Sequence, residues 1–187
     1  MKLVCSRRLL GAYSAVAILF CGAINHAQSP PPPIPLPGDL VDFFSGEWLG
    51  AGEFASGKKI EAEVAFRPDL DNKWLLYRHT DRAPNNYKAL GVWGTERSSK
   101  KFVMMISDNF GGMRLFLSEG WSSGKIVFEK SNALSSALSV VAGQVPATQE
   151  RFTFEQQNVH TFKMTYETSE DGRVWRMRDY LIFKKKS

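Results

Sequence analysis

One short motif in the sequence matches a pattern that exposes a nucleophilic serine. Residues 120–124 read Gly-Trp-Ser-Ser-Gly, the G-x-S-x-G arrangement that places a serine on a turn between a strand and a helix. The residues that follow, 125–130, alternate like a strand, and no helical pattern comes after them. The motif therefore predicts a Gly/Ser hairpin turn without a nucleophilic role.

A histidine and a nearby aspartate form a second stretch with chemical potential. His79-Thr80-Asp81 could begin a metal site or form an acid–base pair, but a single histidine close to a strand end is more often a hydrogen-bonded structural residue. Asp69 and Asp71 carry oxygen ligands of the kind calcium prefers, yet their spacing and the missing downstream glutamate indicate a turn. We predict no metal site and no catalytic residue, and a binding protein rather than an enzyme.

The composition excludes several other classes of function. The chain has 187 residues, with 24 Lys and Arg against 19 Asp and Glu. Three of the basic residues form the terminal run Lys184–Lys186 and three more lie in the segment Met1–Ala27, so the body is almost neutral and no nucleic-acid partner is expected. Both cysteines, Cys5 and Cys21, also lie in Met1–Ala27. The rest of the chain therefore cannot form disulfides or cysteine-rich zinc sites.

The segment Met1–Ala27 has the layout of a secretory signal peptide. Three basic residues without an acid come first, then a mostly apolar stretch, Leu9–Ile24, and small residues near Ala27. This stretch is short for a membrane-spanning helix, so we expect cleavage, no integral span afterwards, and a periplasmic or secreted protein. A retained anchor is one alternative. A lipoprotein acylated at Cys21 is another, although Phe20 stands where a small residue is usual.

A proline-rich linker separates this segment from the body of the chain. Residues 28–38 contain six prolines, which favour an extended and semi-rigid polyproline II spacer. The predicted organisation is therefore a signal peptide over 1–27, a linker over 28–38 and one domain over 39–187.

The body of the chain alternates between apolar and polar residues with the period of a β-strand. Residues 59–67 and 161–168 show the pattern most clearly, and Asp39 is placed to cap a short helix over Leu40–Phe44. Strands are predicted near residues 47–55, 59–68, 73–80, 87–96, 101–107, 113–119, 125–130, 149–155, 161–168 and 174–184. Short turns join most of them, and closure removes the exposed edges. The predicted fold is all-β, a single up-and-down antiparallel β-barrel of about ten strands with a short N-terminal helix.

One connection is too long for a hairpin. Ser131–Thr148 carries apolar residues at helical spacing before Gly143 and Pro146. Such a segment is either functional or disordered. We keep two interpretations, a plug packed on one end of the barrel and a lid over its mouth.

The predicted first strand begins with Gly46-Glu47-Trp48-Leu49-Gly50-Ala51-Gly52, and with it the domain resembles the calycin group. Within that group it is most similar to nitrobindin-like and lipocalin-like bacterial domains. The resemblance implies a ligand-binding barrel and, for nitrobindins, a heme held by a histidine near the end of the last strand. Residues 174–184 contain no histidine, and Tyr180 is the nearest alternative ligand. A heme protein with redox or isomerase activity is therefore an alternative, and the main prediction includes no cofactor.

The last strand also resembles that of fatty-acid-binding calycins, which grip a lipid carboxylate with an Arg-x-Tyr pair. Arg178-Asp179-Tyr180 matches this pattern. The resemblance implies a bidentate clamp formed by the guanidinium and the phenol. If the more apolar face points inward instead, Asp179 lies inside and Arg178 is solvated, and both orientations stay open at this point.

Aromatic and methionine side chains are plentiful enough to line an internal pocket. A ten-stranded barrel encloses more volume than an eight-stranded one, so a cavity is expected, although these side chains can also fill the interior as core. The predicted function is an exported protein that binds a small apolar molecule or lipid-like acid, and a structural or partner-binding module is a further alternative. The predicted site residues are Trp74, Tyr77, Trp93, Met104, Phe116, Tyr166, Arg178 and Tyr180.

Overall fold

A computed structural model describes residue 32, residues 34–131 and residues 148–187. The predicted signal peptide, part of the linker and nearly all of the long connection predicted as plug or lid lie outside these residues, so those predictions stay untested. Within the described part of the chain, no helix is long and apolar enough to cross a membrane.

The described chain forms one closed antiparallel barrel of ten strands after one short helix, as the sequence predicts. Each strand pairs with its neighbours in sequence, and the first strand also pairs with the last, so the ribbon closes without a free edge. The elements are α1 (Gly38–Phe44), β1 (Gly46–Phe54), β2 (Lys59–Asp69), β3 (Trp74–Asp81), β4 (Lys88–Thr95), β5 (Phe102–Asp108), β6 (Met113–Ser118), β7 (Lys125–Lys130), β8 (Gln149–Asn158), β9 (Thr161–Ser169) and β10 (Arg176–Lys185).

The alternation along each strand decides which side chains enter the barrel. In β2, Lys59 and Glu61 are exposed, whereas every second residue from Ile60 to Phe66 is buried. Successive side chains of a strand point to opposite faces, so apolar side chains at every second position form a continuous inner wall. The same parity in β3, β8, β9 and β10 fills the interior with the apolar side chains of those strands.

Helix α1 closes one end of the barrel with aromatic side chains. Leu40 and Phe44 are completely buried, and the Phe44 ring lies with its centroid 5.3 Å from the rings of both Trp93 and Phe162. The indole Nε1 of Trp48 donates a hydrogen bond of 2.8 Å to the Phe44 carbonyl. The helix and the start of β1 therefore close this end of the barrel with packed aromatic side chains.

The predicted helix cap was wrong. The helix begins at Gly38, and its first backbone hydrogen bond runs from Val41 N–H to the carbonyl of Pro37, which occupies the N-cap position. Asp39 consequently lies in the first turn and makes no capping bond. Its carboxylate instead accepts a hydrogen bond of 2.7 Å from Trp121 Nε1, which ties the helix to the turn before β7.

Two glycines of the first-strand motif allow the seam between β1 and β10 to close. A Cβ on Gly50 would overlap the ring of Phe183, and a Cβ on Gly52 would overlap the backbone carbonyl of Tyr180. The absence of side chains at these positions lets the two strands pair and lets Phe183 enter the barrel.

The interior is filled by packed side chains at the helix end and contains a cavity at the other end. At the helix end the Phe162 ring stacks on Phe183 with centroids 4.8 Å apart and meets Trp48 edge to face at the same distance. The opposite end holds the end of β1 and the start of β10, together with the matching ends of the other strands. There a cavity of about 410 Å³ opens between the strands.

Candidate functional site

The cavity has apolar walls with a few polar side chains set into them. Its apolar lining comes mainly from the inward positions of β2, β5, β8, β9 and β10, with Phe54 and Phe110 near the mouth. The polar residues of its lining are Tyr77, His79, Asp81, Tyr87, Arg114, Tyr166 and Asp179, together with Lys58, Asn85 and Asn86. An apolar pocket with a small number of fixed polar groups is the usual form of a small-molecule site.

Three alternate residues of β3 form a hydrogen-bonded relay on the cavity wall. Tyr77, His79 and Asp81 share the inward face because they stand two residues apart. The Tyr77 hydroxyl lies 2.8 Å from Nδ1 of His79, and Nε2 of His79 lies 2.7 Å from Oδ1 of Asp81. Burial raises the pKa of Tyr77 well above its ordinary value, so its hydroxyl keeps its proton. The two hydrogen bonds engage both ring nitrogens and hold the ring in one orientation.

Asp179 is the acidic group of the cavity that lacks a partner. Burial, reinforced by the negative charge of Asp81, raises the pKa of Asp179 to about 7. No hydrogen bond or ion pair joins its carboxyl to any side chain in the described residues. It therefore presents free acceptor oxygens to the cavity.

Arg114 also faces the cavity, but its charge is already balanced. Its Nη2 donates to Asp108 Oδ2 at 3.1 Å and to the Tyr87 hydroxyl at 3.0 Å, and its Nη1 donates to Glu150 Oε2 at 3.0 Å. Glu150 also pairs with Lys130. Burial opposes ionisation of Glu150, but the hydrogen bonds from Lys130 and Arg114 outweigh it and hold its pKa below the ordinary value.

The mouth of the cavity is formed by the turns that follow β1, β3 and β5. Tyr87 stacks on Phe110 with ring centroids 6.3 Å apart and meets the ring of His79 edge to face at 5.5 Å. Lys58 stands at the rim with its ammonium 5.8 Å from the ring centre of Phe54. A ligand that enters the cavity therefore passes between aromatic rings before it reaches the polar side chains.

The structure brings some of the predicted site residues to the cavity and leaves others elsewhere. Tyr77 and Tyr166 line it. Trp93, Met104 and Phe116 are completely buried in the core of the barrel and do not line it.

The other three predicted site residues do not line the cavity. Trp74 belongs to the outward face of β3, where its ring lies over Gly94. Arg178 is exposed, and its Nε donates a hydrogen bond of 2.6 Å to Thr168 Oγ1. The ammonium of Lys163 lies 5.1 Å from the centre of the Tyr180 ring.

The orientation of the last strand was left open by the sequence, and in the structure its more apolar face points inward. The register between β10 and β9 shifts between Met177 and Asp179, and beyond it Asp179, Leu181 and Phe183 point inward. Arg178 and Tyr180 therefore form no clamp inside the barrel. A bulge re-aims the side chains next to it, and alternation alone does not show where one occurs.

Several cavity residues were not selected from the sequence. Arg114 shares the inward face of β6 with Phe116, because the two residues stand two positions apart. The sequence could have indicated Arg114 as a cavity residue by this spacing. Tyr87 precedes β4 in an irregular turn and had no comparable signal. His79, whose ring contacts Tyr87, was expected to be a hydrogen-bonded histidine near a strand end. Its side chain is hydrogen-bonded in the structure and the residue is only 4% exposed.

The histidine and tyrosine side chains of the cavity that could ligate a metal or heme are engaged by neighbouring side chains. In the described ranges, no three His, Cys, Asp or Glu side chains gather at metal-binding distance. Both ring nitrogens of His79 are hydrogen-bonded, so the histidine must break one of these bonds to ligate iron. The phenol of Tyr166 is likewise engaged with Glu150, and Tyr180 lies outside the cavity.

Comparisons with known proteins support the fold. No protein-family model matches the chain, and no curated protein matches it. The crystal structure of Rv2717c from M. tuberculosis superposes with a TM-score of 0.54 at 14% identity, covering 81% of this chain and 99% of that one. A similarity at this level of identity shows a shared fold alone, so membership of the calycin group stays a prediction.

Two designed proteins match less well. A de novo designed fluorescence-activating β-barrel has a TM-score of 0.40 at 11% identity, over 79% of this chain and 98% of its own. A redesigned β-barrel has a TM-score of 0.36 at 10% identity, over 79% and 95%. Both scores are too low to carry an argument.

Proposed function

We propose that the barrel binds a small, largely apolar molecule in the cavity opposite α1. The observation that carries the proposal is the cavity of about 410 Å³, a volume in the usual range for small-molecule sites. Burying apolar ligand surface contributes about 25 cal/mol per Å², so about 200 Å² supplies roughly 5 kcal/mol. Micromolar affinity needs about 8 kcal/mol, and the polar groups of the wall have to provide the rest.

The charges around the cavity disfavour the lipid-like acid considered from the sequence. Arg178 is outside, and the guanidinium of Arg114 is paired with Asp108 and Glu150. Asp81 and Asp179 repel a carboxylate that enters. A neutral or cationic ligand therefore suits the wall better than an acid.

A hydrophobic fluorophore tests the binding function directly. Nile red should bind the purified full-length protein at micromolar concentration with a strong rise in fluorescence, and small molecules extracted from the protein should be identifiable by mass spectrometry. Ile106→Trp places a larger ring in the cavity and should weaken Nile red binding by about tenfold.

The matched control is the neighbouring position on the other face of β5. Met105 is 45% exposed, so Met105→Trp should leave binding unchanged. Binding that persists unchanged in Ile106→Trp, with both variants folded by circular dichroism, would place the fluorophore outside the cavity. Absence of binding in all proteins would favour a structural or partner-binding module.

We also propose that binding requires no heme. The support is the state of His79, whose two ring nitrogens are committed to Tyr77 and Asp81. Titration with hemin should give no Soret band that depends on His79. A sharp band that is lost in His79→Ala and kept in His160→Ala would establish the heme alternative instead.

We further propose that the protein is exported, since the segment Met1–Ala27 has the layout of a signal peptide. Expression in a bacterial host, followed by fractionation and N-terminal sequencing, should give a periplasmic product that begins near Gln28. A cytoplasmic product that still begins at Met1 would contradict this.

A further inference from the structure

Resting on the proposed binding function, we propose that the ligand carries a protonated amine, received by the carboxylates of Asp179 and Asp81 at the cavity wall. The apolar part of such a ligand would fill the space between the aromatic side chains. The proposal follows from the distribution of charge, hydrogen bonds and aromatic rings around the cavity.

The charge of the cavity is negative once the paired groups are set aside. Asp108 and Glu150 balance Arg114 and Lys130 within one cluster. His79 is hydrogen-bonded to Tyr77 and Asp81, and a single histidine can balance at most one of the acids that remain.

Two acids are then left to face the cavity, Asp81 on β3 and Asp179 on β10. Lys58 is the cation that remains among the described lining residues, and it is exposed at the rim. A cationic group inside the cavity would therefore compensate charge that the described protein leaves uncompensated.

The two unbalanced acids supply free hydrogen-bond acceptors to the cavity. The carboxyl oxygens of Asp179 accept no hydrogen bond from the described side chains, and only one oxygen of Asp81 is engaged with His79. An ammonium group carries three donors and no acceptor, whereas a carboxylate ligand brings acceptors alone. A buried carboxylate without a partner is costly, and pairing it with a hydrogen-bonded cation removes most of that cost.

The rings around these acids supply a second source of attraction for a cation. Tyr77, Tyr166 and Phe152 line the cavity, and the Tyr166 ring stacks on Phe152 at 4.7 Å. The π-face of an aromatic ring attracts a cation within about 6 Å. A neutral alcohol would gain the hydrogen bond but not this electrostatic attraction.

The experiment compares three ligands that differ only in the polar head. Decylamine, decanol and decanoate are titrated against the full-length protein preloaded with Nile red, and displacement gives their dissociation constants. Decylamine should bind at least about tenfold more tightly than decanol, because a charged hydrogen bond in a buried site contributes that much, and decanoate should bind most weakly. Equal binding of decylamine and decanol would overturn the amine proposal while leaving the binding function intact.

Two variants and a pH series assign the effect to Asp179. In Asp179→Asn the preference for decylamine over decanol should fall by about tenfold, and in Asp42→Asn, an exposed residue of α1, the preference should stay unchanged. Decylamine keeps its proton below about pH 10, so its binding should tighten from pH 6 to pH 8 as Asp179 ionises.

The remaining outcomes are decisive as well. A preference that survives in Asp179→Asn, or affinity that is flat with pH, would overturn the assignment. If none of the three compounds displaces Nile red and Nile red itself does not bind, the proposed function fails together with the inference.

Discussion

The Nε2 atom of His79 lies 2.7 Å from Oδ1 of Asp81, and both side chains are almost completely buried in the barrel wall. A histidine placed between a phenol and a carboxylate has both ring nitrogens satisfied, which explains how a polar residue is accommodated beside an apolar cavity. The same arrangement orients the Asp81 carboxylate towards the space that Asp179 also faces.

Replacing His79 should destabilise the fold, since its loss leaves a buried phenol and a buried carboxylate without their partner. We expect His79→Ala to lower the free energy of unfolding by about 1–3 kcal/mol in urea denaturation. His160 is exposed in the turn between β8 and β9, so His160→Ala is the control and should change stability little. Equal effects of the two substitutions would contradict a stabilising relay.

Asp179 should make the stability of the protein fall as the pH rises from about 4 to about 7. The pKa of this carboxyl is about 7 in the folded protein against 3.8 ordinarily, so between these values the folded state holds a proton that the unfolded chain has released. The stability contributed by this proton is complete at low pH and is lost as the pH rises through the folded pKa.

Comparing Asp179→Asn with the unaltered protein isolates this effect. The variant does not titrate, so its stability relative to the unaltered protein should increase from pH 4.5 to pH 8, by at most about 4 kcal/mol. Urea denaturation at three pH values measures the difference, with Asp42→Asn as the control. A difference that is constant with pH would show that the pKa of Asp179 is not raised.

Removing the charge of Asp81 should lower the pKa of Asp179. In Asp81→Asn the amide can still form a hydrogen bond with Nε2 of His79, while the negative charge that raises the pKa of Asp179 is gone. The pKa should stay above 3.8 because burial is the larger cause. Carbon NMR of the side-chain carboxyl follows the titration, and an unchanged value would mean that the two acids do not interact.

A side chain at Gly52 should open the seam of the barrel. In Gly52→Ala the added methyl group overlaps the carbonyl of Tyr180, which belongs to the backbone of β10 and cannot rotate away. We expect a loss of about 1–3 kcal/mol in thermal or urea unfolding. Gly38 has open space around it, so Gly38→Ala is the control, and equal stability of both variants would contradict the close approach.

The sequence predicted the fold well because the signals are local. The alternation in β2 and the turn residues between strands specify ten strands and their order, and the closed seam removes the edges that an open sheet would leave. Of the eight predicted site residues, the structure brings Tyr77 and Tyr166 to the cavity. Tyr77 and Tyr166 share the parity of buried neighbours, whereas Trp74 stands three residues before Tyr77 and lies on the opposite face of β3, and Arg178 lies on the outward face of β10.

The amino-acid sequence by itself determined the strands, the helix before them and the inward face of most strands, since each depends on the period of side chains along a few residues. Only the tertiary structure decided that Asp179 and Asp81 face one cavity and that Arg178 lies outside it. These two acids stand far apart along the chain and meet because β1 pairs with β10 and β2 with β3. The charge of the cavity is therefore a product of barrel closure, a non-local event that no short stretch of sequence encodes.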